Sequence, residues 1–289
     1  MMLKRCAIIG LTFFLVGFIT NSLEAQQPIK MGKVKTAVLN EISGIVPSVH
    51  NDHYFWVHND SGDMPNIYLI DSLAQLKSTI KLEGIDVVDV EDIASLMIDS
   101  IPYLLLADMG NNLKDRDTMS LFLFKEPDLN LNKDFQSVAR EDITEIRFRY
   151  RDKRRDAEAL FVDPIDNTVY IISKRDFKST LFKLSLSKVN DGSVQELSPL
   201  VQLPLTFATA ADIRQDGRYI IVKNLTSIFL WERGENQSVP TALQGNYRRI
   251  PYEVEPQGEA VCFGRNNFFF YTISERPFGL DAYLYKYEY

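Results

Sequence analysis

The sequence predicts an all-β fold, a β-propeller of five four-stranded blades, on three observations. From residue 33 onward the apolar residues fall in short runs rich in Val, Ile, Tyr, Phe and Leu, bounded by Asp, Asn, Gly and Pro, which is strand patterning. No stretch of ten or more residues carries a convincing helical stripe, and the 18 Phe and 13 Tyr suit pleated surfaces, where aromatic side chains pack well. The third observation is a repeat. Runs that end in polar residues recur as YFWVHND (54–60), YLLLADMGNN (103–112), VYIISKRD (169–176), YIIVKNL (219–225) and FFFYTISER (268–276), their starts 49, 66, 50 and 49 residues apart.

Each of these second strands follows a first strand that carries an acid: Glu41 in EISGI, Glu91 and Asp92 in EDIASLMI, Glu158 in DAEALFVD, Asp212 in ADIRQD and Glu259 in GEAVCF. Each precedes a third strand: NIYLID, LFLFKEP, LFKLSLS, IFLWER and AYLYKYEY. More variable fourth strands close most units, at 78–82, 143–150, 196–205 and 247–252, and four strands per repeat of about 50 residues is the signature of a propeller blade. The last unit stops after its third strand, so KVKTAVL (33–39) is expected to supply the missing outer strand and tie the first blade to the last. Residues 125–145 lengthen the second unit and leave a sixth blade open. The competing architecture is a β-sandwich plus a small domain, in which the recurring acids would share no location.

The start of the chain, MMLKRCAIIGLTFFLVGFIT, sets Lys4 and Arg5 before an apolar run shorter than the roughly 20 residues of a membrane span, with Ala25 after it. These are the parts of a secretory signal peptide, expected over 1–25, and they place the single propeller domain, 26–289, in the periplasm or outside the cell. Loss of that segment leaves Cys262 without a disulfide partner, and its apolar neighbours mark it as a small buried hydrophobe. The net charge of −7 disfavours nucleic acid or an anionic membrane as partner and is compatible with cations. A small-molecule, peptide or glycan ligand, a monomer and no membrane span complete the expectation.

A propeller turns repetition in sequence into convergence in space, because every first strand faces the central axis. Glu41, Glu91, Asp92, Glu158, Asp212 and Glu259 are therefore expected to form an acidic ring, with Asn112 and Asn224 among the polar residues that the turns after the second strands add. Converging carboxylates repel one another and raise their own pKa values, and a bound cation relieves that. Oxygen ligands without His or Cys suit calcium rather than structural zinc. The alternative is an ion-pair network with Lys174, Arg175 or Lys223 and no metal. His58, Asp60 and Asp108, in the loops HNDSGD (58–63) and DMGNN (108–112), are candidate catalytic bases, although Asp and Asn there also hold tight turns. RYRDKRRDAEAL is either a solvated basic loop or an anion clamp.

Taken together, NEISGIV, HNDSG, DVEDIA, ADMGNN, DAEALFVDP, ISKR, ADIRQDGRYIIV and PQGEAV resemble a family of secreted bacterial β-propellers of mostly unknown function. These stand near the calcium-dependent propellers that include gluconolactonases, paraoxonase-like lactonases and the esterase-like domain found beside phytases. The resemblance implies a calcium held by acids and asparagines, with Glu41 and Glu259 in the place of first-strand ligands and Asn112 and Asn224 in the place of loop ligands. The lactonases normally have six blades and a second rim histidine, which this chain lacks. Three classes follow: a calcium-dependent hydrolase of ester, lactone or phosphodiester bonds; a non-catalytic exported binding propeller; and a redox propeller, disfavoured by the absence of a CxxCH haem site and a dinucleotide-binding loop.

Overall fold

A computed structural model describes residues 27–186, 192–265 and 268–289; the expected signal peptide, 1–25, lies outside the described residues. The chain enters as β1 (Ile29–Lys33) and then builds the first blade from β2 (Ile42–Pro47), β3 (Tyr54–Asn59), β4 (Asn66–Asp71) and β5 (Leu76–Leu82), each antiparallel to the one before. The second blade follows as β6 (Val90–Ile98), β7 (Ile101–Asp108) and β8 (Met119–Lys125). Here the chain leaves its blade. β9 (Phe135–Val138) lies parallel to β5 as an outer fifth strand of the first blade, and β10 (Thr144–Tyr150) returns to finish the second.

The same detour recurs one blade on. After β11 (Ala157–Val162), β12 (Thr168–Ser173) and β13 (Thr180–Ser185), β14 (Val194–Leu197) pairs parallel with β10 of the second blade, and the short β15 (Val201–Gln202) completes the third. The fourth blade is β16 (Ala208–Ile213), β17 (Tyr219–Asn224), β18 (Ile228–Glu232) and β19 (Tyr247–Ile250), with a one-turn helix α1 (Val239–Leu243) before its last strand, N-capped by Ser238. The fifth holds β20 (Ala260–Phe263), β21 (Phe269–Ile273) and β22 (Tyr283–Glu288), and β1 pairs antiparallel with β22 to complete it. Five sheets are thus five blades, and residues 125–145 are the detour that carries β9 rather than part of a sixth.

Two strand boundaries differ from expectation for local reasons. The closing strand is 29–33, not 33–39: Val34 and Leu39 are instead buried in the core between the first and fifth blades, with a turn at 37–38. Gly32 is required inside β1, because a Cβ there would meet the Leu73 carbonyl oxygen at 2.1 Å. The fourth strand expected over 196–205 breaks into β14 and β15 on either side of Pro199, which has no N–H to give a ladder.

Core formation follows the radial plan. The first strands touch in a closed ring, β2 against β6 and β20, β11 against β6 and β16, and β16 against β20. β2, β11 and β20 are buried along their whole length, since such a strand has neighbours on both faces and on the axial side. Five hydrophobic clusters fill the five gaps between adjacent blades, built from the faces of their sheets; that between the fifth and first contains the buried free thiol of Cys262.

Candidate metal centre

The register of the first strands decides which acids meet. β2, β6, β11 and β16 each slip by one residue, at Ser43, Glu91, Glu158 and Thr209, and a bulged residue of this kind re-aims its side chain. Ser43 and Thr209 use their hydroxyls to tie the next blade, donating to the carbonyls of Glu91 (3.1 Å) and Gly258 (3.3 Å). Glu91 and Glu158 instead bring carboxylates to the axis, where Glu259, immediately before β20, joins them. A second tier comes from the residues two before the bulge, Glu41, Asp89 and Asp156, whose carbonyls accept from the N–H groups of Asp60, Gly110 and Lys174. In the fifth blade Gln257 stands in the place of Glu41, and the acid is Glu275, in the place of Asp60, its N–H donating to the Gln257 carbonyl.

Seven carboxylates form three overlapping sets on this rim, with ligand oxygens within 4.8 Å of one another in each: Asp60, Asp89 and Glu91; Asp60, Glu259 and Glu275; and Glu91, Asp156 and Glu158. Lys174 enters among them, its Nζ bound to Glu158 Oε2 and 3.3 Å from Glu259 Oε1, with only 10% of its side chain exposed. Asp156 is the most firmly held, accepting from Asn111 N (2.8 Å) and Arg175 Nε (2.7 Å). Gly110 is needed at this spot because a Cβ would lie 2.1 Å from Glu91 Oε1 and 2.3 Å from Asp89 Oδ2.

Electrostatics express the crowding. Burial, with Glu158, Asp60 and Asp89 as like-charged neighbours, raises the Glu91 carboxyl well above its ordinary value. Burial raises Glu158 to about 8; Lys174 opposes this and Glu259 adds to it. Glu275 is pushed up to about 8 by burial and Glu259, and Asp60 to about 7, chiefly by burial. Burial acts to lower the Lys174 ammonium, but Glu158 and Glu259 beside it raise it on balance.

Of the expected ligands, Glu91, Glu158 and Glu259 come together here, as does Asp60, expected as a base. Glu41 is exposed at the edge of the group. Asp92 turns the other way, its oxygens accepting from Ile93 N and Leu160 N at 2.8 Å each. Asp212 is the fifth residue of β16 rather than its head, so the notion of one acid heading every first strand fails in the fourth blade; its oxygens accept from Ile213 N (2.8 Å) and Phe263 N (2.7 Å). Asn112 Oδ1 accepts from Arg175 Nε at 2.9 Å, and Asn224 Oδ1 closes its own turn on Thr226 N and Ser227 N.

The remaining expected bases occupy distinct environments. Asp108 is gripped by both Arg116 terminal nitrogens (2.8 and 2.9 Å) and by Asp89 N (2.8 Å), which makes it an organiser of the DMGNN loop. His58 is buried, with Nδ1 2.9 Å from the Asn59 carbonyl; burial lowers it to about 4, so it is neutral at pH 7. The basic loop is an ion-pair network: Arg149 pairs with Glu196, Lys153 with Asp176, Arg154 with Asp117, and Arg155 with Asp152 and Asp176. Sequence reasoning missed Asp89, Asp156 and Glu275. Aligning the repeats on the bulge would have found them, since Asp89 and Asp156 share the place of Glu41 and Glu275 that of Asp60.

No protein-family model matches the chain, and no curated protein matches it. Among solved structures it is similar to an auxiliary nutrient binding protein from Bacteroides thetaiotaomicron VPI-5482 (13% identity, TM-score 0.44, 72% of this chain), of which it spans 47%. It is also similar to a luciferin-regenerating enzyme (13% identity, TM-score 0.47, 91% of this chain and 96% of the other). A chain of a nidogen/laminin complex gives 12% identity and a TM-score of 0.47, over 82% of this chain and 73% of the other. The fold rests on the sheet topology itself. Fold and rim together define a five-bladed β-propeller with clustered carboxylates able to hold a divalent metal ion. No helix among the described residues is long and apolar enough to cross a membrane.

Proposed function

We propose that the protein is an exported β-propeller that binds a divalent cation, calcium, at the acidic mouth of its central channel. The observation that carries the reading is the convergence of seven carboxylates from four blades, with the Lys174 ammonium among them. Hard oxygen donors in that number, with no His or Cys among them, match the ligand chemistry of calcium. Export is supported by the basic flank and apolar run of the first 25 residues. Calorimetric titration with calcium after exhaustive chelation tests the proposal: Glu91→Gln and Glu158→Gln are expected to weaken binding more than a change at exposed Glu235. Absence of heat and of any calcium effect on melting would leave the group as a lysine-neutralised ion-pair network.

A second reading, hydrolysis of an ester, lactone or phosphodiester, is favoured by Asp60. Its buried Oδ1 lacks a hydrogen-bond partner among the described residues, and burial raises its carboxyl to about 7, where a general base works best. Bound calcium would polarise the carbonyl or phosphoryl oxygen. The recess beside Asp60, between residues 59–66 and 87–90, measures only about 10 Å³, so a substrate would lie across the face. Assay of nitrophenyl esters, lactones and bis-nitrophenyl phosphate with and without calcium separates the readings. Turnover that needs calcium and is lost in Asp60→Asn supports hydrolysis; calcium binding with no turnover on any probe leaves the binding propeller.

A further inference from the structure

The opposite end of the ring, where the first strands finish, encloses a cavity of about 200 Å³ that the carboxylate rim does not use. Its walls include Leu96, Met97, Val162 and Phe263, and Arg265, Gln215 and Ser95 are among its polar side chains. Arg265 is half-buried, yet it makes no hydrogen bond and no ion pair among the described residues. The two acids whose charge reaches it, Glu126 and Asp52, lie beyond ion-pair distance. Glu126 is committed elsewhere, accepting from Ser48 Oγ (2.6 Å), Val49 N (2.9 Å) and Trp56 Nε1 (2.9 Å). The one acid on the cavity wall, Asp212, has both oxygens occupied by backbone N–H groups.

We propose that this cavity is a second binding site, for a small monocarboxylate with an apolar body, whose acid group pairs with Arg265. A partly desolvated guanidinium without a partner among the described residues is costly, and a carboxylate satisfies it with two parallel charge-assisted hydrogen bonds. The apolar body then covers Leu96, Val162 and Phe263. The volume admits on the order of ten non-hydrogen atoms, below the roughly 300–1,000 Å³ of ordinary ligand sites, and so suits only a small ligand. A single guanidinium, with no lysine or second arginine on the walls, matches the single charge of a carboxylate rather than a phosphate. Partial burial also lowers the Arg265 guanidinium below its ordinary value, against the weaker opposing pull of Glu126 and Asp52.

The test is calorimetric or NMR titration of the full chain with 4-phenylbutanoate and with the uncharged 4-phenylbutanamide. The acid is expected to bind at least tenfold more tightly than the amide, and Arg265→Gln to remove that preference while leaving amide binding unchanged. Gln215→Trp, at an exposed position on the wall, is expected to block both probes without lowering the melting temperature. Equal affinity for the two probes, undiminished acid binding by Arg265→Gln, or no binding of either probe at millimolar concentration would overturn the proposal. The rim carboxylates are at the other end, so calcium titrations read out independently of this result.

Discussion

Replacing Lys174 with Gln tests the competition at the heart of the rim. The ammonium contacts Glu158 and Glu259, whose side chains are 3% and 7% exposed, so its removal leaves carboxylates facing one another with almost no solvent. Breaking a buried ion pair by deleting one partner costs about 3–5 kcal/mol. Because the Glu158 carboxyl, raised to about 8 by burial, takes up a proton near neutral pH rather than remaining charged, the low end applies, about 3 kcal/mol. For a domain of this size that is a drop of roughly 6–12 °C in melting temperature. The variant should bind calcium more tightly than the parent, since the ion no longer has to displace an ammonium. Saturation at about 100 times its Kd returns roughly 2.7 kcal/mol to the variant, which closes most of its gap from the parent in chelator. Scanning calorimetry of both proteins in chelator and in calcium reads this directly, with Lys153→Gln as control; Lys153 is exposed and its partner Asp176 keeps Arg155, so the change is expected to cost less than about 1 kcal/mol. Equal melting of parent and Lys174→Gln in chelator, together with equal response to calcium, would refute the reasoning.

Other outcomes follow from the same geometry. Deleting residues 27–33 removes the ladder on β22 and opens an edge, so the melting temperature should fall sharply; an unchanged curve on calorimetry would contradict blade closure by β1. Gly32→Ala drives a Cβ into the Leu73 carbonyl and should destabilise by about 1–3 kcal/mol in urea unfolding, whereas an Ala at exposed Gly62 meets no atom within 4 Å and bears only the strain of its positive φ. In chelator, stability should fall as pH rises from about 5 to 8: the raised carboxyls Asp60 (about 7), Glu158 and Glu275 (both about 8) bind protons more strongly folded than unfolded, and that contribution is lost as pH climbs through the folded values. Calcium should flatten or reverse this slope, because its ligands must be deprotonated. Asn112→Ala and Asn224→Ala should leave calcium affinity unchanged in calorimetric titration, since these amides serve Arg175 and a local turn.

Much of the architecture is local enough to be read along the chain. Alternating apolar runs between turn residues mark strands wherever they lie, and a spacing near 50 residues makes the first, second and third strands of every blade legible, from NIYLID in β4 to AYLYKYEY in β22. Three of the seven clustered acids that were expected as ligands, Glu91, Glu158 and Glu259, were legible for the same reason, each being the acid at the head of a repeat. Tertiary structure decided which acids actually meet. Whether an acid faces the axis depends on its place relative to a one-residue bulge, and because side chains alternate with period two, a slip of one residue separates Glu91, which faces the rim, from Asp92, which binds the Leu160 N–H of the next blade. Lys174 and Arg175 were legible as partners for the acids, but the exchanges of β9 and β14 between blades, and the meeting of Lys174 with Glu259 as well as Glu158, join residues tens of positions apart. Such contacts exist only once the ring of first strands has closed, so no local pattern encodes them.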